Sequence, residues 1–236
     1  MSLRYSLHTT TLNSQNLEEI QKNIHRQSPY PEKVKIIAVT KTFNFSAIIE
    51  AEKKQIFDIG ENRVQETQEK LKKNTLNPKT QLHLIGHLQT NKAPLAVGLY
   101  NTIQSIDSIR LLKKINQIAE KKDKKQKVFL QINIANQPTQ TGFNNIEIFE
   151  AAKHATDLEH INFCGIMAIG PKTSRKEKIK KSFYGAQQIK EKIKKTINPR
   201  CTSLSIGMSQ DYIIALQAGA THLRLGSILF NTRGDA

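Results

Sequence analysis

The chain of 236 residues has the length of a single α/β barrel domain, which can bury a large core without disulfides or metal ions. Its 38% hydrophobic and 24% charged residues are ordinary for a globular protein, and no apolar run approaches the roughly 18 residues that a membrane span needs. The net charge of +16 invites a nucleic-acid-binding hypothesis, but the basic residues are mostly lysines in separate segments without interleaved aromatic residues. This distribution favours exposed helix faces and ends, at 53–54, 70–73, 121–127, 175–181 and 190–195.

Strand-like and helix-like segments alternate along the chain after a first amphipathic helix over 13–27. Strands are predicted at 35–39, 56–59, 81–85, 102–106, 128–134, 162–169, 203–206 and 222–225. Helices are predicted from 46, from 62, over 91–97, around 111–119, over 146–157, up to about 195, and from 209 to a glycine stop at 219. Eight strands separated by helices indicate a closed (β/α)8 TIM barrel with an extra N-terminal helix, as one domain over 1–236. An open doubly wound sheet is the alternative, but nothing marks the topological switch that it needs.

The N-terminal residues and the two cysteines predict the cellular location of the protein and the redox state of its thiols. Residues 1–13 are polar and lack the apolar segment of a signal peptide, so a cytoplasmic protein is expected. Cys164 and Cys201 both lie in apolar runs and are expected to be buried thiols in a reducing compartment.

The loops after the seventh and eighth predicted strands have the features of a phosphate site. In a barrel of this kind the active site lies at the C-terminal ends of the strands, and these two loops frequently hold a phosphate. Gly207 lies between Ser205 and Ser209, and Gly226 precedes Ser227, so each loop offers close backbone approach and hydroxyl groups at a predicted helix start. Either loop alone can be an ordinary glycine turn with a serine cap, whereas the two together favour a phosphate site.

Several side chains with reactive or hydrogen-bonding groups are predicted at the same barrel mouth. Lys41 follows the first strand, where partial desolvation would favour the neutral amine that a Schiff base needs, although one of 28 lysines near a strand end is a weak signal. Asn62, followed by Gln65 as in a capping box, is either a helix cap or a ligand contact. Arg224 in an apolar strand needs an acceptor, and a structural ion pair is its alternative role. His87 is interpreted as a structural hydrogen-bonding residue.

Seven stretches of the sequence, in order, resemble the YggS/PROSC family of pyridoxal phosphate homeostasis proteins. The resemblance covers nearly the whole chain, from about 34 to 230. The stretches are AVTKT at 38–42, FDIGENRVQE at 57–66, HLIGHLQTNK at 83–92, QINI at 131–134, GIMA at 165–168, LSIGMS at 204–209 and RLGSILF at 224–230. Two features depart from the family pattern: Asn231 follows Phe230 where the family often has glycine, and the segment 172–195 is unusually basic, without a functional explanation from the sequence.

The resemblance implies a barrel like the N-terminal domain of alanine racemase, with pyridoxal 5′-phosphate (PLP) held on Lys41 as a Schiff base. It implies that Ser205, Met208 and Ser209 bind the phosphate, with Gly226 and Ser227 closing the other side. Arg224 would face the pyridine nitrogen and keep it unprotonated, which weakens the ring as an electron sink. Asn62 would lie near the ring hydroxyl.

The resemblance further implies a PLP carrier, not an enzyme. A monomer is expected, with transient contacts to PLP-dependent apo-enzymes. An amino-acid racemase is the first alternative, and it needs acid/base groups on both faces of the substrate carbon. In alanine racemase the second base comes from a β-domain and the partner subunit. No such domain is expected after the eighth strand here, so His87 would have to serve. A nucleic-acid-binding barrel is the second alternative, and it would show steeply salt-dependent binding.

Overall fold

The computed structural model describes residues 10–135 and 137–230, and within them eight parallel strands close into a barrel in sequence order. The strands are β1 Lys35–Val39, β2 Asp58–Glu61, β3 Gln81–Leu84, β4 Thr102–Ile106, β5 Gln126–Ile132, β6 Ile161–Ala168, β7 Ser203–Ser205 and β8 His222–Leu225. Closure is completed by β1 pairing with β8, with Ile36 opposite Leu223 and Ala38 opposite Leu225. The predicted closed barrel is therefore confirmed, and the open-sheet alternative is wrong.

Eight α-helices surround or cap the barrel in the described part of the chain. They are α1 Ser14–Gln27, α2 Ser46–Lys53, α3 Val64–Leu71, α4 Ala93–Leu99, α5 Ile109–Lys121, α6 Glu147–Asp157, α7 Lys176–Thr196 and α8 Tyr212–Gln217. Short 3-10 turns at Pro31–Lys33 and Thr90–Lys92 precede β1 and α4. The predicted extra N-terminal helix is α1, in which Leu17, Ile20 and Ile24 are buried at helical spacing.

Helix α5 shows how the sequence pattern becomes structure. Ser108 caps its start by accepting a hydrogen bond from the backbone N–H of Leu111 at 3.3 Å. Leu112 and Ile115 are fully buried on its apolar stripe, together with Leu111, Ile118 and Ala119. Burying each large aliphatic side chain contributes on the order of 1.5–3 kcal/mol, which holds the helix against the sheet.

Three predicted helix starts are wrong. Helix α3 begins at Val64, and no side-chain cap bonds to it, so Asn62 and Gln65 do not form a capping box. Helix α8 begins at Tyr212, three residues after Ser209, whose hydroxyl instead accepts the Ile228 N–H at 3.3 Å. Residues 226–229 after β8 form a turn instead of a helix. The loops after β7 and β8 therefore face the barrel mouth as irregular backbone, without a helix N-terminus.

Two other predictions about burial need correction. Cys201 is buried and its burial raises the pKa of the thiol to about 12, but Cys164 is only partly buried; both are free thiols. Lys70 and Lys190, from segments predicted to be exposed, are 5% and 7% exposed. Asn231, which stands where the family often has glycine, lies outside the described residues.

Across residues 10–135 and 137–230, no helix combines the length and the apolar character needed to cross a membrane.

Candidate functional site

A cavity of about 800 Å³ lies at the C-terminal ends of the strands, where a barrel of this kind places its active site. Seven of the eight predicted site residues line it: Lys41, Asn62, Met208, Ser209, Arg224, Gly226 and Ser227. They come from the loops after β1, β2, β7 and β8 and from β8 itself, so the closure of the barrel brings together residues from both ends of the chain. We call this cavity the carboxyl-end cavity.

Ser205, the eighth predicted site residue, is buried beneath the cavity and is not part of its wall. Its hydroxyl donates to Gln104 Oε1 at 2.7 Å and accepts from Arg224 Nη1 at 2.8 Å. Both interactions engage the side chain inside the barrel, which is at odds with the predicted phosphate contact.

Lys41 lies in the loop after β1 and is exposed, so the expected partial desolvation of its amine is wrong. The backbone on both sides of it is held by the protein. Thr42 adopts a left-handed conformation with φ of 66°, and its N–H donates to Glu66 Oε1 at 2.8 Å. On the other side, the Thr40 hydroxyl donates to Glu61 Oε1 at 2.7 Å. The reactive amine is thus free to move on a backbone that is fixed.

Lys70 organises this support from within the fold. Its ammonium donates to the Thr40 carbonyl at 2.8 Å and to Glu61 Oε1 at 2.6 Å, and Glu66 Oε1 lies 3.6 Å away. Burial raises the pKa of Glu61, and the charge and hydrogen bond of Lys70 oppose that rise. Sequence reasoning missed this network. The i,i+4 spacing of Glu66 and Lys70 was the signal available, because such pairs share one helix face.

Arg224 forms part of the cavity wall although it is only 5% exposed. Nη1 donates to the Ser205 carbonyl at 2.7 Å as well as to its hydroxyl, and Nη2 donates to the Ala168 carbonyl at 2.8 Å. Burial lowers the pKa of Arg224 to about 10, and the nearby Asp211 carboxylate opposes this shift, so the guanidinium stays charged at neutral pH. Within the described residues no carboxylate oxygen lies within 4.0 Å of it, so the predicted alternative of a structural ion pair is wrong.

A directional chain of hydrogen bonds runs from Arg224 through the barrel interior. The chain continues from Ser205 to Gln104, and Gln104 Nε2 donates to His83 Nδ1 at 3.0 Å. His83 Nε2 then donates to Asp58 Oδ1 at 2.9 Å. Because β4 and β7 are not neighbours, the Gln104–Ser205 bond must cross the interior of the barrel. Burial would raise the pKa of Asp58, but the hydrogen bond and charge of His83 hold it below its ordinary value.

The loops after β7 and β8 form a backbone cradle for an anion. Gly207 has φ of 89°, and a Cβ there would lie 2.5 Å from the Ala215 Cβ, so both conformation and packing require glycine. The Met208 N–H donates to Asp211 Oδ1 at 2.6 Å and is not available to a ligand. In the described part of the chain, the N–H groups of Ser209, Gln210 and Ser227 have no hydrogen-bond acceptor. All three residues line the carboxyl-end cavity, so their donors can serve an anion bound there.

His87 also lines this cavity, on the loop after β3. Its Nδ1 lies 2.8 Å from Asp107 Oδ2, and about half of its side chain is exposed. The side chain is therefore a hydrogen-bonded residue of the rim, as the sequence indicates.

Comparisons with known proteins agree with this geometry. A family model for the alanine racemase N-terminal domain matches residues 15–234. An alanine racemase of Clostridium difficile shares the fold with a TM-score of 0.73 at 20% identity, covering 94% of this chain and 62% of its own. The class is thus that of barrels with the alanine racemase N-terminal fold.

Closer relatives define the family. The chain is 32% identical to a pyridoxal phosphate homeostasis protein of Pasteurella multocida over 225 residues, 93% of this chain and 97% of that protein. It is 30% identical to the structure of PipY from Synechococcus elongatus PCC7942 with PLP bound, with a TM-score of 0.81 over 92% of this chain and 99% of that one. This chain belongs to the YggS/PROSC family of pyridoxal phosphate homeostasis proteins.

Proposed function

We propose that this chain binds PLP in the carboxyl-end cavity, holds it on Lys41 as a Schiff base, and acts as a carrier in cellular PLP homeostasis. The observation that carries the proposal is that a single cavity contains an exposed lysine amine, a cradle of free backbone N–H groups and a buried guanidinium. The names of its relatives, and the PLP bound to PipY, support the same assignment.

The residues present fit PLP in both charge and shape. Ser209, Gln210 and Ser227 offer backbone donors to the phosphate, in place of the predicted contacts of Ser205 and of the Met208 N–H. Gly226 lines the cavity with backbone alone, and a Cβ there would meet Val39 only at ordinary contact distance. Asn62 borders the cavity after β2, where the ring hydroxyl is expected to lie.

When bound, PLP supplies an aldehyde that condenses reversibly with a primary amine. Lys41 is the exposed amine for this condensation, while Thr40 and Thr42 are anchored to the buried Lys70 network. Solvent and free amines reach the same position, which allows release as well as capture. Such reversibility is what a carrier needs.

Arg224 favours carriage over catalysis. Its guanidinium keeps donor hydrogens beyond those bound by Ser205 and Ala168, and we assign one of these to the pyridine nitrogen. A charged donor there keeps the ring nitrogen unprotonated, which weakens the electron sink that racemisation requires. The rim residue His87, already paired with Asp107, is the group that a racemase mechanism would have to use as its second base.

We further propose that the protein works as a monomer in the cytoplasm and meets PLP-dependent apo-enzymes only transiently. The two free thiols are consistent with a reducing compartment.

Absorbance spectroscopy of the protein mixed with PLP tests the proposal. We expect an imine band that disappears on borohydride reduction, with the reduced adduct mapped by peptide sequencing to Lys41. Lys41→Ala should lose this band and keep weaker, phosphate-dependent binding. Lys113→Ala, which removes an exposed lysine of α5 outside the carboxyl-end cavity, is the control and should keep the band. An adduct on a different lysine, or a folded Lys41→Ala protein that binds no PLP, would contradict the proposal.

A further inference from the structure

A second cavity, of about 720 Å³, lies at the opposite end of the barrel. We call it the amino-end cavity. The starts of the strands form its wall, with Lys35 from β1, Asp58 from β2 and His222 from β8. The turn before β1 and the second half of α7 complete its rim. In barrels of this kind this end ordinarily contributes to stability, so an open, polar cavity of this size requires an explanation.

The charges around the amino-end cavity are not balanced. Two of its three acidic residues have a lysine partner: Glu32 is 4.0 Å from Lys33, and Glu191 is 2.5 Å from Lys190. The third, Asp58, is hydrogen-bonded to His83, and the charge of Lys35 helps to lower its pKa. Among the residues that the structure describes, no carboxylate oxygen lies within 4.0 Å of the ammonium groups that remain. These belong to Lys35, Lys127 and Lys194, which reach the cavity from β1, β5 and α7.

His222 adds a buried donor to the same wall. Its side chain is only 8% exposed, and its Nδ1 lies 2.8 Å from the Thr221 hydroxyl. The other acceptor within reach of that hydroxyl, the Leu204 carbonyl, is farther away at 3.2 Å and already receives the Thr221 N–H. The hydroxyl can donate to either acceptor, and donation to the nearer Nδ1 leaves the proton of the neutral ring on Nε2. Within residues 10–135 and 137–230, Nε2 has no hydrogen-bond partner.

We propose that the amino-end cavity is a second ligand site, which binds a small polyvalent anion of the phosphate class. Lys35, Lys127 and Lys194 supply the compensating charge, and the His222 Nε2–H supplies a directed hydrogen bond. Lysine ammonium groups act as point charges, so they suit a compact anion with charge on several oxygens better than a planar, forked carboxylate. This site does not depend on what occupies the carboxyl-end cavity.

The proposal also explains why α7 is so basic. At ~1.5 Å per residue its 21 residues extend for roughly 30 Å. Lys172, just before α7, and Lys176 line the carboxyl-end cavity, while Lys190 and Lys194 line the amino-end cavity. The basic segment thus supplies positive charge to an anion site at each end of the molecule.

Histidine NMR can distinguish the two ends in one sample, since His222 and His83 lie at the amino end and His87 at the carboxyl end. The experiment is a titration of histidine-labelled protein with inorganic phosphate, with sodium chloride adjusted to constant ionic strength. We expect saturable shifts of the His222 and His83 signals. In Lys35→Ala/Lys127→Ala the apparent Kd should rise about tenfold, because two of the three ammonium groups without a carboxylate partner are removed.

The matched control is Lys113→Ala/Lys121→Ala, which removes the same charge from the exposed face of α5, away from both cavities. Its Kd should remain near that of the unmodified protein. The proposal is overturned if only His87 shifts, if the His222 shift does not saturate, or if both double variants weaken binding equally. None of these outcomes bears on PLP capture by Lys41, which is measured by absorbance.

Discussion

The two ends of the barrel offer positive charge and hydrogen-bond donors to anions in different ways. At the carboxyl end, the donors are backbone N–H groups in two glycine-containing loops, and the reactive amine of Lys41 is exposed. At the amino end, the charge comes from side chains on β1, β5 and α7, around the buried imidazole of His222. A backbone cradle fixes the position of a ligand, which suits condensation at one aldehyde. A ring of flexible ammonium groups selects for charge and imposes little geometry.

The two ends are physically connected by the chain of hydrogen bonds from Arg224 to Asp58. Every donor in that chain points away from the carboxyl-end cavity, through Ser205, Gln104 and His83. Barrels of this class usually fill their interior with branched aliphatic side chains. Here a chain of hydrogen-bonded polar side chains lies in the barrel interior, so the orientation of Arg224 depends on residues far from the cavity.

The largest expected effect is on the support beneath Lys41. Lys70→Met leaves the carboxylates of Glu61 and Glu66 buried without their cation, and breaking a buried ion pair in this way costs about 3–5 kcal/mol of unfolding free energy. Urea denaturation measures the change. Lys72→Met is the control, since Lys72, the residue after α3, pairs with the exposed Glu69 and its loss should cost less than about 1 kcal/mol. If Lys70→Met and Lys72→Met lost equal unfolding free energy, the buried network would not stabilise the backbone beneath Lys41.

The next expected effect is a loss of stability at acidic pH, which arises from His222 at the amino end. Burial, together with the charges of His83 and Lys35, lowers the pKa of His222 from 6.5 to about 3, against the opposing charge of Asp58. Between these two values the unfolded chain binds a proton on this imidazole and the folded chain does not. Stability is therefore lost as the pH falls from 6.5 towards 3.

Thermal unfolding in phosphate-free buffer tests this pH dependence. His222→Gln should lose less stability than the unmodified protein between pH 6.5 and pH 4, since glutamine does not titrate. His154→Gln, which alters a much more exposed histidine on α6, should follow the unmodified protein. An acid sensitivity that is unchanged by His222→Gln would show that this imidazole is not held neutral by the fold.

The comparison also shows what the sequence can reveal. Strand and helix alternation predicted the barrel, and a barrel necessarily gathers the ends of its strands, so Lys41, Asn62 and Arg224 could be placed at one mouth. The glycine loops were recognisable because their signal is local. The position of Ser205, one residue before Ile206 and two before Gly207, does not reveal that its hydroxyl is bonded to Gln104 and Arg224 beneath the cavity.

The amino-end cavity and the Lys70 network could not be predicted in the same way. Lys35, Lys127 and Lys194 are separated by 92 and 67 residues and belong to three elements, so their convergence depends on the closed tertiary structure. Lys70 lies in a run of lysines with the exposed Lys72 and Lys73, and only its bonds to Thr40 and Glu61 distinguish it from them. Charge patterns alone do not distinguish a buried lysine from an exposed neighbour.

A smaller effect on stability and PLP affinity is expected when the chain of hydrogen bonds between the two ends is interrupted at Gln104. Gln104→Leu leaves the Ser205 hydroxyl and His83 Nδ1 without their partners, at a cost of about 1–3 kcal/mol. PLP affinity should fall because the Ser205 hydroxyl, which accepts from Arg224, loses the acceptor that orients it, while borohydride should still label Lys41. Gln104→Glu keeps an acceptor for Ser205 but places an oxygen against His83 Nδ1, so it should restore only part of the PLP affinity that Gln104→Leu loses. PLP binding unchanged in a folded Gln104→Leu protein would show that the chain does not position Arg224.

The smallest effect separates the hydroxyl groups of the cradle from its backbone. Ser209→Ala removes the acceptor of the Ile228 N–H, which ties the loop after β7 to the turn after β8, and should weaken PLP binding by about 1 kcal/mol, or roughly fivefold. Ser227→Ala leaves that tie intact and should have a smaller effect, because the backbone N–H at 227 remains. Both changes should reduce the preference for PLP over pyridoxal, which lacks the phosphate, and neither should alter the phosphate titration of His222. If pyridoxal and PLP lost affinity equally, the two loops would be shaping the cavity as a whole and would not be binding the phosphate group.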